Sequence, residues 1–237
     1  MIHVPVLANE VIEALRVDAH PQGVFVDATF GRGGHTQLIL RRLGERGRVI
    51  ALDRDPAAIE AGKHLGDPRL SLRHARFSEI REVCETLGVA RVFGVLIDLG
   101  VSSPQLDDPV RGFSFRADGP LDMRMDPSGG ETVGQWLARA NEGDIREVIK
   151  SHGEERFAKQ IAEAIVAARQ GGPLTGTRQL AAIVGAAVRT REPGKDPATR
   201  TFQALRIHIN QELEERSEEH TSELQSLRHL VCRLLLE

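Results

Sequence analysis

Three aspartates and a glycine-rich turn are the residues of this 237-residue sequence whose types and spacing could do chemistry. Asp27 is followed by Gly31, Gly33 and Gly34, while Asp53 and Asp98 each close a short apolar run further along the chain. Glycines let a backbone approach a ligand closely, and the helix after such a turn offers amide groups that have no partner inside it. An acidic side chain about 20 residues beyond the loop, at the end of the next strand, can accept hydrogen bonds from ribose hydroxyls. Alone, the loop fits a tight turn with a helix-capping aspartate equally well. Loop and acid together point to a cofactor that contains a nucleoside.

The elements that must carry these residues alternate between strand and helix. Val24-Phe25-Val26 reads as a short buried strand ending at Asp27, and a helix follows from about His35 to Leu43. Arg48 to Leu52 is a second strand ending at Asp53, and Asp55-Pro56 opens the next helix, with proline at an early helical position. Leu70 to His74 is a third strand. Val92 to Ile97 is a continuous apolar run of the kind buried on both faces of a sheet. This order implies an α/β domain with a parallel sheet and right-handed crossovers.

Beyond Asp98 the pattern changes. Gly100 to Gly130 is rich in Gly, Pro, Asp and Ser without a sustained period, and so long a loop is usually functional or disordered. Glu131 to about Val188 has helical spacing, punctuated by Gly171-Gly172-Pro173 and followed by Pro193-Gly194. A last amphipathic helix begins near Pro197 and carries Phe202, Leu205, Ile209 and Leu213. The expected organisation is a core over residues 1–105, a loop and helical insertion over 106–195, and a return to the core over 196–215. Residues 216–237 stand apart.

Several cofactor chemistries compete for the glycine loop. A dinucleotide fold prefers a third glycine at position 36, which is threonine, and no Gly-Lys-Ser/Thr phosphate loop is present. An acid four residues before the first glycine suits S-adenosylmethionine. A nicotinamide-dependent oxidoreductase is the first rival, and a cofactor-binding RNA module without catalysis is the second.

Composition narrows the class. With 41% hydrophobic and 27% charged residues the chain has ordinary globular chemistry, and no apolar run approaches the roughly 20 residues of a membrane span. Cys84 and Cys232 are far apart, so neither a disulfide framework nor a metal site is expected, and the cytoplasm is the default compartment. A net charge of −3 gives no global case for nucleic-acid binding. An RNA partner would need local clustering among Arg111, Arg116, Arg124, Arg189, Arg191, Lys195, Arg200 and Arg206, or these are solvated surface.

Longer motifs add a specific likeness. They include His3-x-Pro5-Val6-Leu7, Asp27-Ala28-Thr29-Phe30-Gly31, Asp98-Leu99-Gly100-Val101-Ser102-Ser103-Pro104-Gln105-Leu106-Asp107 and Arg111-Gly112-Phe113-Ser114-Phe115. Gly119-Pro120-Leu121-Asp122-Met123-Arg124-Met125, Gly153-Glu154-Glu155 and Pro197-Ala198-Thr199-Arg200-Thr201-Phe202-Gln203-Ala204-Leu205-Arg206-Ile207 complete the set. From His3 to about Glu215 the chain resembles the bacterial ribosomal RNA small-subunit cytosine-N4 methyltransferase family. The resemblance implies a Rossmann-like class I core interrupted by a helical substrate-recognition domain. It also implies S-adenosylmethionine as cofactor, and 16S ribosomal RNA or the small subunit as partner, methylated at N4 of a decoding-region cytosine. Carried over by position, Gly33, Gly34 and His35 contact the cofactor, Asp53 takes its ribose, Phe77 lies against the adenine, and Asp98 and Gln105 complete the pocket. Asp98 is the expected acceptor for the amine that receives the methyl, assisted by Ser102 or Ser103. Phe113 and Phe115 either stack on an extruded base or pack their loop onto the core. Met123 and Met125 are expected as core filler.

The tail departs from this family, in which a helix should continue into strands bearing a Ser-Phe-His-Ser-Leu-Glu-Asp stretch. Arg216 to Ser226 and His229 to Glu237 instead match the in-frame translation of a common short-read sequencing adapter. On that reading Arg216–Glu237 is an artefact, the C-terminal strands of the sheet are missing, and an edge is left unpaired. Without its three basic and four acidic residues the net charge moves from −3 to −2.

Overall fold

A computed structural model describes residues 7–190 and 194–212, together with the backbone of 230–234. Two compact units make up the chain. One contains Met1–Gly100 and the strand at 230–234, and the other is Val101–Leu213.

In the first unit, strands β1 (Val24–Asp27), β2 (Arg48–Asp53), β3 (Leu70–His74) and β4 (Gly94–Leu99) alternate with helices α1 (Ala8–Leu15), α2 (Gly34–Arg42), α3 (Pro56–Gly62) and α4 (Ile80–Thr86). Among the described residues the strand pairings are parallel, and these four strands lie in the order β3-β2-β1-β4. The fold is therefore α/β with a parallel sheet, as the spacing predicts, and Rossmann-like, as the resemblance implies. Successive strand residues face opposite sides. Phe25, Val49, Ala51 and Leu96 join α1 and α2 in one core, while Val26, Ile50, Leu52, Val95 and Ile97 join Phe77, Ile80 and Cys84 in the other. Burial on both faces explains why these strands read as unbroken apolar runs. Strand β4 begins two residues later than Val92, although Phe93 already donates its N–H to the Val24 carbonyl at 2.7 Å.

The sheet has a fifth strand, β5 (Leu230–Leu234), whose backbone pairs with β4 from Val95↔Leu230 to Leu99↔Leu234. This corrects the expectation of an unpaired edge beside β4. A run of Leu-Val-Cys-Arg-Leu suits a strand, and an open parallel ladder is a template for one. The rest of Arg216–Glu237, Leu213 and His3 to Val6 lie outside the described residues.

The second unit is helical: α5 (Ser103–Asp107), α6 (Val133–Arg139), α7 (Glu142–Gly153), α8 (Ala158–Arg169), α9 (Thr177–Ala187) and α10 (Thr199–Ile209). The stretch from Gly100 to Gly130 is thus not wholly irregular, since it holds α5 and a single turn at Pro109–Arg111. Helix α10, which the sequence suggested as a return to the core, falls within Val101–Leu213. Phe202, Ala204 and Leu205 are buried in one core with Ile145, Ile149, Ile161 and Leu180. Gly153 lets α7 and α10 meet at the backbone, because a Cβ there would lie 2.6 Å from the Arg200 carbonyl oxygen.

Asn210 ties the end of α10 to the irregular segment. Its Oδ1 accepts the Met125 N–H at 2.7 Å, and its Nδ2 donates to the carbonyls of Met123 (2.7 Å) and Arg206 (2.9 Å). Met123 sits at φ 60°, a strained conformation for a side chain of its size, and is fully buried. Asn210→Ala would leave buried backbone groups unpaired. It should cost about 2–4 kcal/mol in urea denaturation at unchanged slope, and a loss below about 0.5 kcal/mol would contradict this account.

Candidate active site

The three aspartates lie at the carboxyl ends of adjacent parallel strands: Asp53 ends β2, Asp27 ends β1, and Asp98 is the penultimate residue of β4. Sheet order reverses between β1 and β4, because the chain moves outward through β2 and β3 and then returns to the other side of β1. Open α/β sheets bind ligands at that crevice, outside the carboxyl ends of the strands.

Asp27 is 1% exposed. Its Oδ2 accepts the Thr36 hydroxyl at 2.6 Å and its Oδ1 accepts the Thr29 N–H at 3.3 Å. Burial pushes its carboxyl above the usual carboxylate range, against the opposing pull of the Thr36 hydrogen bond and of nearby His35. Thr36 lies in the first turn of α2, so this contact fixes where the helix starts relative to the end of β1.

Between them the chain makes the glycine turn. Gly31 and Gly33 have φ of 55° and 73°, and a Cβ on Gly33 would meet the buried Phe30 ring at 2.7 Å. Both facts explain glycine here without a ligand, yet they also leave the backbone bare at the start of α2, which has no side-chain cap. Gly34 and His35 open that helix, and His35 is buried.

Asp53 anchors the turn from the next strand. Its Oδ2 accepts the Gly31 N–H at 2.7 Å and its Oδ1 accepts the Asp55 N–H at 2.8 Å. Burial pushes its carboxyl up to about 6, although the backbone hydrogen bonds from Asp55 and Gly31 favour the ionised form. Two carboxylate oxygens carry about four acceptor positions, so two remain for hydroxyl donors.

Phe77 follows β3 at the same end of the sheet, buried in the core with Ile80 and Cys84. Asp98 donates its backbone N–H to the Thr29 hydroxyl at 2.8 Å. Ser102, Ser103 and Gln105 belong to the second unit. There Gln105 is buried and its Oε1 accepts the Ser102 N–H at 2.9 Å across the start of α5, while Ser103 is exposed. Sequence reasoning overlooked Thr29 as a partner of Asp98, and registered Thr36 merely as an absent glycine. The one available signal for Thr36 was a hydroxyl in the first helical turn after a strand-ending acid.

The basic residues divide. Arg111 donates to the carbonyls of Arg124 and Met125, Arg124 pairs with Asp122, Arg206 pairs with Glu212, and Arg200 donates to the Glu154 carbonyl. Those four act within the unit, whereas Arg116, Arg189 and Lys195 are exposed and Arg191 lies outside the described residues. Phe113 is buried and Phe115 meets Phe202 edge-on at 4.8 Å, so both pack the loop onto the helical core.

Comparison with known proteins supplies an independent measure. The model of a family described as the MraW methylase family matches residues 1–231. The Ribosomal RNA small subunit methyltransferase H of Thiobacillus denitrificans is 63% identical over 213 residues, which cover 90% of this chain and 68% of that protein. Its namesake in Azoarcus sp. is 64% identical over 213 residues with the same shares, and that of Aromatoleum aromaticum is 62% identical over 215 residues, 91% and 68%.

The tie between Asp27 and Thr36 can be tested by itself. Thr36→Val keeps the shape and removes the donor, leaving a buried carboxyl oxygen without its partner. Unfolding free energy should fall by about 1–3 kcal/mol. No measurable change in a urea melt would show that the contact does not hold the turn.

Proposed function

The chain belongs to the MraW methylase family, and on that premise we propose that it moves the methyl group of S-adenosylmethionine to N4 of a cytosine in the decoding region of 16S ribosomal RNA. The observation that carries this reading is the row of Asp53, Asp27 and Asp98 around a bare glycine turn at the point where sheet order reverses. The printed names of the relatives, ribosomal RNA small subunit methyltransferase, support the substrate class.

The residues present fit a nucleoside sulfonium cofactor. Gly33, Gly34 and His35 would receive it at the start of α2, whose first amide groups have no side-chain cap. Asp53 takes the ribose hydroxyls on its remaining acceptor positions, and Phe77 gives the adenine an apolar wall. Carboxylates at the strand ends favour a cation beside them. The family resemblance adds Asp98, near the end of β4, to this set and assigns Gln105 a cofactor-binding role as well.

When bound, the cofactor supplies an activated methyl group and a neutral thioether leaving group. The amine at N4 of cytosine is a poor nucleophile, because its lone pair is delocalised into the ring. Asp98 would accept a hydrogen bond from that amine and turn its nitrogen toward the methyl, and the proton that the nitrogen sheds on methylation would pass to this carboxylate or to solvent. The protein's contribution is orientation of two reactants, which can supply several kcal/mol of the barrier.

Two measurements check these roles. Asp53 must be ionised to accept both hydroxyls, so the ionised fraction, and with it cofactor affinity, falls as pH drops through about 6. Calorimetry should show S-adenosylmethionine binding about tenfold weaker at pH 5 than at pH 8, and Asp53→Asn should bind weakly with a flatter profile. Constant affinity over that range would contradict the assignment. Asp98→Ala should slow methyl transfer about 100-fold or more while cofactor is saturating, and a near-normal rate would remove Asp98 from the chemistry.

A further inference from the structure

Asp98 is held from the side by a residue that the proposed reaction has not used. Strands β1 and β4 run parallel from Phe25↔Gly94 to Asp27↔Leu96, and Ala28 still donates its N–H to the Leu96 carbonyl at 2.9 Å. Beyond Ala28 the chain of β1 turns away into the glycine loop. The N–H of Asp98, two residues further along β4 than Leu96, donates to the side-chain hydroxyl of Thr29 at 2.8 Å, across 69 residues of sequence.

Thr29 is itself clamped. Its own N–H donates to Oδ1 of the buried Asp27, whose other oxygen holds Thr36 at the head of α2. One residue therefore joins the buried carboxyl of β1 to the reacting end of β4 through its main chain on one side and its side chain on the other. The hydroxyl continues the ladder past the point where the strands part, and it does so at the crevice itself.

We propose that Thr29 is a positioning residue for methyl transfer: by fixing the backbone of Asp98 where β1 and β4 diverge, it sets the direction in which the Asp98 carboxylate meets the acceptor amine. This rests on the reading of Asp98 given above. A displacement of about 1 Å in a group that orients reactants can cost on the order of 100-fold in rate, so the loss of this tether should appear in the transfer step. Cofactor affinity depends on Asp53 and the glycine turn and should move little.

The test compares Thr29→Val, Thr29→Ala, Thr29→Ser and Asp98→Ala in the full chain, with single-turnover methyl transfer to unmethylated small subunits at saturating cofactor, together with S-adenosylmethionine affinity and thermal unfolding. Thr29→Val and Thr29→Ala should slow transfer about tenfold or more, with cofactor affinity within about threefold, and Thr29→Ser should recover most of the rate. Adding Thr29→Val to Asp98→Ala should slow transfer no further, because both act through one group. Thr29→Val or Thr29→Ala transferring at the wild-type rate would overturn the inference, as would a full additional loss in the double variant. If Asp98→Ala alone transfers normally, the role of Asp98 fails first and this inference falls with it. A wild-type chain that transfers no methyl overturns the enzymatic reading itself. Loss of rate in proportion to loss of folded protein, with no rescue by serine, would mean that Thr29 is structural only.

Discussion

A carboxyl group with 1% exposure, at the end of a central strand, is the constraint from which the site follows. Burying Asp27 costs solvation, visible as a carboxyl pushed above its ordinary range, and the structure offsets part of that cost by bringing donors to it. Thr36 must therefore stand at the head of α2 within 2.6 Å, and Thr29 must turn its N–H back. Between those two fixed points the chain has six residues, Phe30 to His35, in which to leave the strand and enter the helix. Two of them adopt left-handed conformations that glycine tolerates best. The bare turn is thus a consequence of how the acid is satisfied, and Asp53 and Asp98 are tied to the same frame through Gly31 and Thr29.

Much of this was legible in the sequence because strands buried on both faces cannot hide. Val24 to Asp27 and Arg48 to Asp53 end where the apolar runs end. Glycine and aspartate then mark the carboxyl side of the sheet. The ties themselves were not legible. Thr36, Thr29 and Asn210 meet partners 9, 69 and 85 residues away, and no local pattern records a contact at such separation. The allegiance of α10 was hidden for a related reason. An amphipathic stripe announces that one face is buried, not against which neighbour, and here the neighbours are α7 and the rest of the helical core. Strand β5 was excluded because the sequence around it matched adapter, and that match carries no information on whether Leu230–Leu234 can pair with β4.

The helical unit shows the opposite balance of local and distant signal. In the sequence its arginines read as solvated surface unless they cluster, but Arg111, Arg124, Arg200 and Arg206 satisfy carbonyls and carboxylates of their own unit. They hold an irregular segment that has few ladder hydrogen bonds of its own, much as Asn210 does. Planar guanidinium groups suit that task, since one side chain can reach several acceptors. A count of basic residues therefore overstates what remains to face a phosphate backbone.

The central claim is that the strand-end carboxylates and the bare turn serve methyl transfer to small-subunit RNA, and one measurement reaches it most directly. Small subunits lacking the modification would be incubated with the chain and methyl-labelled S-adenosylmethionine, and their RNA digested to nucleosides. The account predicts label in N4-methylcytidine, dependent on Asp98. Label in another nucleoside would contradict the proposed acceptor, and no label under conditions where the cofactor binds would contradict the reaction.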